Sequence, residues 1–218
     1  MNSICFHSPS NLGCYGMSQS GKSQFCAKLL RNSKKLYTKE PEHILYCYSE
    51  MQGLFKELES ELSNITFKHG LPNYDDVIEL SKNREHTILV IDDMMTECQS
   101  NKFIERLFCV LSHHLSISLV YLAQNIFYQG RNSRTISLQL HYFVLFRNQR
   151  DKSQILTLAR QIAPKQTDAF MEIYEDCLSQ PYSYLVIDLA PNSNKDYKFR
   201  TNIFPRDDST FPVVYKIT

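Results

Sequence analysis

The sequence has no apolar run approaching the roughly 18 residues of a membrane span, no Gly/Ser-rich tract, and no two cysteines at C-x-x-C spacing. The first absence argues against a transmembrane helix, the second against a flexible linker, and the third against a zinc site. The seven cysteines (5, 14, 26, 47, 98, 109 and 177) are odd in number and scattered, several of them inside apolar stretches such as Ile44-Leu-Tyr-Cys-Tyr48. They read as reduced thiols acting as small hydrophobes in a cell interior rather than as a disulfide framework. The start, Met1-Asn-Ser-Ile-Cys-Phe-His7, lacks a basic region followed by a long apolar stretch, so no secretory signal is expected. An intracellular protein with no membrane partner follows, and its basic residues are too scattered to choose nucleus over cytoplasm.

What is present is ordinary globular composition: 43% hydrophobic, 22% charged and 12% aromatic over 218 residues. That length predicts one domain, with a core over about 10–190 and a C-terminal hairpin and tail over about 191–218. The net charge of +1 conceals segregation. Residues 40–105 hold 14 of the 23 acids with only five Lys or Arg, whereas residues 106–165 hold eight Lys or Arg against one acid, Asp151. A near-neutral total is therefore compatible with a nucleic-acid partner on one face, and equally with a solvated basic surface.

Short apolar runs alternate with helical patterns, which predicts βαβ units around a mostly parallel, buried sheet flanked by helices on both faces. Strands are expected at 11–15, 44–48, 65–68, 87–91, 117–123, 142–146 and 184–189. Helices are expected at 22–32, 50–62, 74–82, 100–113, 151–162 and 165–178.

Against a background of only six glycines, Gly16-Met17-Ser18-Gln19-Ser20-Gly21-Lys22-Ser23 is a complete G-x4-G-K-S phosphate loop. It follows a predicted strand and is followed by the helical pattern Gln24-Phe-Cys-Ala-Lys-Leu-Leu30. The glycines let consecutive N–H groups turn into one concavity around a phosphate, and the helix start adds donors and a favourable dipole end. In such a loop Lys22 reaches the β/γ-phosphates of ATP and the Ser23 hydroxyl takes a Mg²⁺ position. Seventy residues beyond Lys22, the apolar strand Thr87-Ile-Leu-Val-Ile91 ends in Asp92-Asp93. Asp92 is assigned to Mg²⁺ and Asp93 to the attacking water, with Glu97 as a reserve base. The strand Ile117–Ala123 ends in Gln124-Asn125, where an amide can hold the water or sense the γ-phosphate, or simply terminate a strand. Arg131, Arg134, Arg147 and Arg150 are the candidates for a guanidinium that stabilises transition-state charge, in cis or from a neighbouring subunit. His113-His114 has no partners at metal spacing and reads as structural, and Tyr46, Tyr48, Phe143 and Phe146 read as core.

These blocks, in order, are GMSQSGKS, ILYCYSEMQGLFKEL with ITFKHGLP, LVIDDMM, YLAQNIFYQGRNSRTISLQLHYFVLFRNQRDKSQI and YSYLVIDLAPNS with FRTNIFP. Together they resemble the FtsK/HerA-type genome-packaging ATPases of polinton-like and adintovirus DNA elements, from about Gly13 to Pro205. The resemblance implies a RecA-like ATPase core that assembles into a ring and moves double-stranded viral DNA into a capsid, alongside capsid or packaging proteins. On its terms Lys22 and Ser23 match Walker A, Asp92 and Asp93 match Walker B, and Gln124 sits at the polar sensor. The superfamily often has Asp-Glu at Walker B; this chain has Asp-Asp.

Two other functions fit the phosphate loop. A small P-loop kinase would need an acceptor pocket and a lid, for which the Arg131–Arg134 segment could serve. A nucleotide-switched assembly protein would use ATP binding to organise a capsid without processive transport.

Overall fold

The computed structural model describes residues 4–128, 130, 132–148, 150–204 and 212–217. Among the described residues nine strands form a single sheet: β1 (Asn11–Tyr15), β2 (His43–Tyr48), β3 (Ile65–His69), β4 (Thr87–Asp92), β5 (Ile117–Ala123), β6 (Tyr142–Phe146), β7 (Tyr184–Asp188), β8 (Phe199–Thr201) and β9 (Val213–Tyr215). Their spatial order is β3-β2-β4-β5-β1-β6-β7-β8-β9. The first six in that order run parallel, and β7, β8 and β9 each pair antiparallel with the preceding neighbour.

The helices are α1 (Lys22–Arg31), α2 (Ser33–Leu36), α3 (Gly53–Glu61), α4 (Tyr74–Ser81), α5 (Met95–Ser100), α6 (Lys102–Arg106), α7 (Ser112–His114), α8 (Ser133–Leu138), α9 (Lys152–Ile162) and α10 (Thr167–Cys177). Residues of α1, α2 and α3 share one core cluster with alternate strand positions such as Ile88 and Val90. Residues of α4, α5, α6, α8, α9 and α10 share the other, with Leu89 and Ile91. A strand buried on both faces favours apolar residues at successive positions, and this is why β4 and β5 read as mostly hydrophobic runs, with the buried Ser118 of β5 hydrogen-bonded. No helix among the described residues is long and apolar enough to cross a membrane.

Several segments depart from expectation, the short α2 after the first predicted helix among them. The helix predicted over 100–113 begins earlier and is broken. Asn101 leaves the helical region, and its side chain accepts from the Phe103 and Ile104 N–H groups, so α5 stops and α6 restarts. The chain then loosens into a π-helical turn over Leu107–Leu111. Helix α8 was not expected; Asn132 precedes it and anchors its start by donating to the Cys98 and Asn101 carbonyls. The C-terminal hairpin proves to extend the sheet, with β8 tied to β7 by an Arg200–Asp188 ion pair of 2.9 Å in which Arg200 is wholly buried. Five of the cysteines (14, 26, 47, 98 and 177) are buried and all seven are free. Burial pushes the Cys47 and Cys98 thiols up to about 12, so they pack as hydrophobes and are poor nucleophiles.

Candidate functional site at the phosphate-loop edge of the sheet

Register brings the chemistry together. Tyr15 at the end of β1 lies opposite Ala123 of β5, and Asp92 at the end of β4 lies opposite Leu122 of β5. The phosphate loop, the paired acids and Gln124 therefore leave the same edge of the sheet, with β5 between the loop and the acids. An edge where parallel strands end and connections diverge is where α/β sheets bind ligands.

The loop is built as its motif requires. A Cβ on Gly16 would fall 2.6 Å from the Phe146 Cβ and 2.7 Å from the Ser20 Oγ, so only glycine fits there. Gly21 turns at φ 105° into α1, and Gln19 also takes a left-handed φ of 63°. Lys22 is nearly buried and its Nζ donates to the carbonyls of Gly16 (2.7 Å) and Met17 (2.8 Å), which closes the loop on itself. An ammonium has three protons, so one remains for a phosphate oxygen. Burial lowers the Lys22 pKa, opposed by Asp93 and Asp92.

Asp92 is buried, and Ser23 Oγ donates to its Oδ2 at 3.5 Å. Tyr46 of β2 donates to the same oxygen at 2.7 Å. Burial raises the Asp92 pKa, and the Tyr46 bond opposes the rise. Asp93 is exposed at a left-handed φ of 54°, and Gln124 Nε2 donates to its Oδ1 at 3.3 Å. The two acids thus divide: one is held inward by hydroxyls, the other is turned out and oriented by an amide. A hydroxyl and a buried carboxylate converging at this distance are hard oxygen donors that fit Mg²⁺.

These groups line a cleft of about 720 Å³, within the range of small-molecule sites. Ser18, Gln19, Gly21, Lys22, Ser23 and Gln24 form one wall, and Asp92, Asp93 and Gln124 one end. Gly16, Met17 and Ser20 shape the loop without lining the cleft. Glu97 is exposed in the first turn of α5 and does not line it. Arg134, Arg147 and Arg150 are exposed outside it, Arg147 directly after β6 at the same edge. Arg131 lies outside the described residues. Among the described residues the cleft-lining cations are Lys22 and Lys28, and no arginine lines it. No group of three or more His, Cys, Asp or Glu suited to a metal occurs among the described residues, His113 and His114 included.

Sequence reasoning missed Tyr46, which alternation had placed in the core. It is buried, yet its hydroxyl serves the site. It also missed the aromatic end of the cleft, formed by Tyr182, Tyr184 and Phe204. No local motif marks any of the four.

No family model and no curated protein sequence matches the chain. Solved structures do match in fold. The DNA-packaging ATPase B204 from Sulfolobus turreted icosahedral virus aligns over 99% of this chain and 98% of its own, with TM-score 0.59 and 13% identity. The genome packaging NTPase B204 from Sulfolobus turreted icosahedral virus 2, in complex with ATP-gammaS, aligns over 95% and 97%, with TM-score 0.56 and 13% identity. The cytoplasmic domain of the type VII secretion ATPase EccC from Thermomonospora curvata aligns over 82% of this chain but 24% of its own, with TM-score 0.53 and 15% identity. The fold is that of the RecA-like P-loop ATPases.

Proposed function

We propose that the chain is a Mg²⁺-dependent ATPase that works as a homo-oligomeric ring and drives double-stranded DNA into a capsid. It would be of the kind carried by polinton-like and adintovirus elements. One observation carries the ATPase half: Ser23 and Asp92, 69 positions apart in the chain, meet at 3.5 Å on the rim of the phosphate-loop cleft. In this reading Ser23 and Asp92 hold Mg²⁺, which when bound neutralises charge on the β/γ-phosphates.

The remaining roles belong to the chain itself. The loop N–H groups and the α1 N-terminus cradle the phosphates, and the free Lys22 proton donates to a phosphate oxygen. Asp93 accepts a proton from water as that water attacks the γ-phosphorus, and ADP departs with the bridging oxygen. Gln124 positions the Asp93 carboxylate through the 3.3 Å bond. Glu97 is left without a part, because it does not line the cleft. Arg131, Arg134, Arg147 and Arg150 are the candidates for the guanidinium that stabilises transition-state charge, in cis or from a neighbouring subunit.

The DNA half rests on the resemblance over about Gly13–Pro205, on B204 being a DNA-packaging ATPase, and on the excess of basic residues over 106–165. Capsid and packaging proteins follow as partners. A pore that tracks the phosphate backbone needs no base readout. Phosphate release by the purified protein with ATP and Mg²⁺ tests this. Turnover without a phosphoryl acceptor, increased by added double-stranded DNA and accompanied by movement along it, is expected. Turnover that requires a small-molecule acceptor would instead indicate a kinase, and binding without turnover or movement an assembly switch.

A further inference from the structure

We infer that Tyr182 is the platform on which the base of the bound nucleotide stacks, and that it gives the site a preference for purine over pyrimidine triphosphates. This inference rests on the ATP-site reading above. Tyr182 sits in the turn between α10 and β7 with 74% of its surface exposed, although it is a large aromatic. Its backbone lies at φ 61°, a left-handed conformation that a bulky L-residue rarely adopts. Strained, exposed side chains of this sort cluster at ligand sites, where the surrounding structure holds them in place.

The strained turn holds the ring over the phosphate loop. A Cβ built on Gly21 would lie 3.4 Å from the Tyr182 Cδ1 and 3.6 Å from its Cβ, in ordinary contact. Beside it, Phe25, Tyr184 and Phe204 form a mutually edge-on aromatic cluster, with centroids 4.8 Å apart for Phe25–Tyr184, 5.1 Å for Phe25–Phe204 and 5.8 Å for Tyr184–Phe204. Tyr182, Tyr184 and Phe204 all line the nucleotide cleft.

Sheet order assigns the direction of the ligand. The acids that act on the γ-phosphate leave β4, on one side of β1, whereas Tyr182 leads into β7, on the other side. With the triphosphate on the loop after β1 and its terminal phosphorus toward Asp93, the base is directed to the aromatic end. Every base offers a π-face, so stacking recognises the class broadly, and the larger purine ring gains more contact area.

Binding of ATP, CTP and inorganic tripolyphosphate to the full chain, measured by calorimetry with Mg²⁺, tests the inference. Tyr182→Asn removes the ring, and asparagine tolerates the left-handed backbone. It should weaken ATP binding by roughly 5- to 150-fold, the span of one base–aromatic stack, and narrow the ATP-over-CTP preference. Tripolyphosphate affinity should stay unchanged, and Tyr182→Phe should restore ATP binding. ATP affinity within about twofold of wild type, or an equal loss for ATP and tripolyphosphate, would overturn it; the latter would make Tyr182 a support for the loop. A wild-type protein that binds tripolyphosphate but shows no purine preference would overturn this inference alone. One that binds neither ATP nor tripolyphosphate would overturn the ATPase reading with it.

Discussion

Two hydroxyls, from Tyr46 and Ser23, point at one oxygen of the buried Asp92. Tyr46 does not line the cleft, so on the proposed ATP-site reading it would position the carboxylate rather than touch the nucleotide. Groups that orient a metal ligand typically carry 10- to 100-fold in metal affinity. Tyr46→Phe keeps the ring packed against Phe55 and Phe67 and removes the hydroxyl with its contacts to Asp92 and Cys26. The half-saturating Mg²⁺ concentration for ATP hydrolysis should rise roughly 10- to 100-fold with little change in thermal stability. An unchanged Mg²⁺ requirement would make the Tyr46 bond structural. The phosphate loop and the acid pair were legible because backbone geometry demands glycine and chemistry demands Lys, Ser and carboxylates at fixed offsets. Tyr46 and Tyr182 were not, since each acts through a contact made only by the folded sheet.

At the scale of elements, the buried parallel strands were readable from their apolar runs, and the predicted ends of β1, β5 and β6 match the structure. The breaks were hidden in side-chain bonds: Asn101 interrupts one helical pattern, and Asn132 anchors another where the composition looked like loop. Strand β8 was obscured because its centre is Arg200, a charge tolerated there through Asp188 across the strand pair. A similar polar joint opens β4. His86 is buried, its Nδ1 facing the Lys39 carbonyl at 2.9 Å and its Nε2 facing the Ser118 hydroxyl at 2.8 Å, while Ser118 accepts from the Ser10 N–H. This pattern suits a neutral imidazole that donates through Nδ1 and accepts through Nε2. Burial lowers its pKa, as it does for His43 and His141. A lowered folded-state pKa means the unfolded chain takes up protons first. The stability contribution is therefore complete above the ordinary value of 6.5 and is lost as pH falls below it toward the folded value. Urea midpoints should decline on acidification below about pH 6.5, and His86→Gln, less stable at pH 8, should decline less steeply. Parallel pH profiles for the two proteins would exclude His86 as a source of the slope.

Across the whole molecule, one edge of the sheet collects the phosphate loop, both acids, Gln124 and the aromatic platform, while the described arginine candidates stand outside the cleft. If a neighbour's guanidinium completes each site, one defective subunit disables more than itself. Rings mixed from wild-type subunits and an Arg134→Ala, Arg147→Ala or Arg150→Ala variant should lose ATPase activity more steeply than the variant fraction for at least one of the three. Loss in strict proportion for all three would remove these residues as fingers acting between subunits.

On the proposed reading, the loop around Lys22 and the acids at the end of β4 act on one nucleotide, the first binding it and the second cleaving it. ATP affinity and phosphate release, measured side by side on wild type, Lys22→Ala and Asp93→Asn, test this most directly. Lys22→Ala should lose ATP affinity, and Asp93→Asn should bind ATP near wild-type strength while its turnover drops at least about 100-fold. Hydrolysis by Asp93→Asn at the wild-type rate, or ATP binding unaffected by Lys22→Ala, would contradict it.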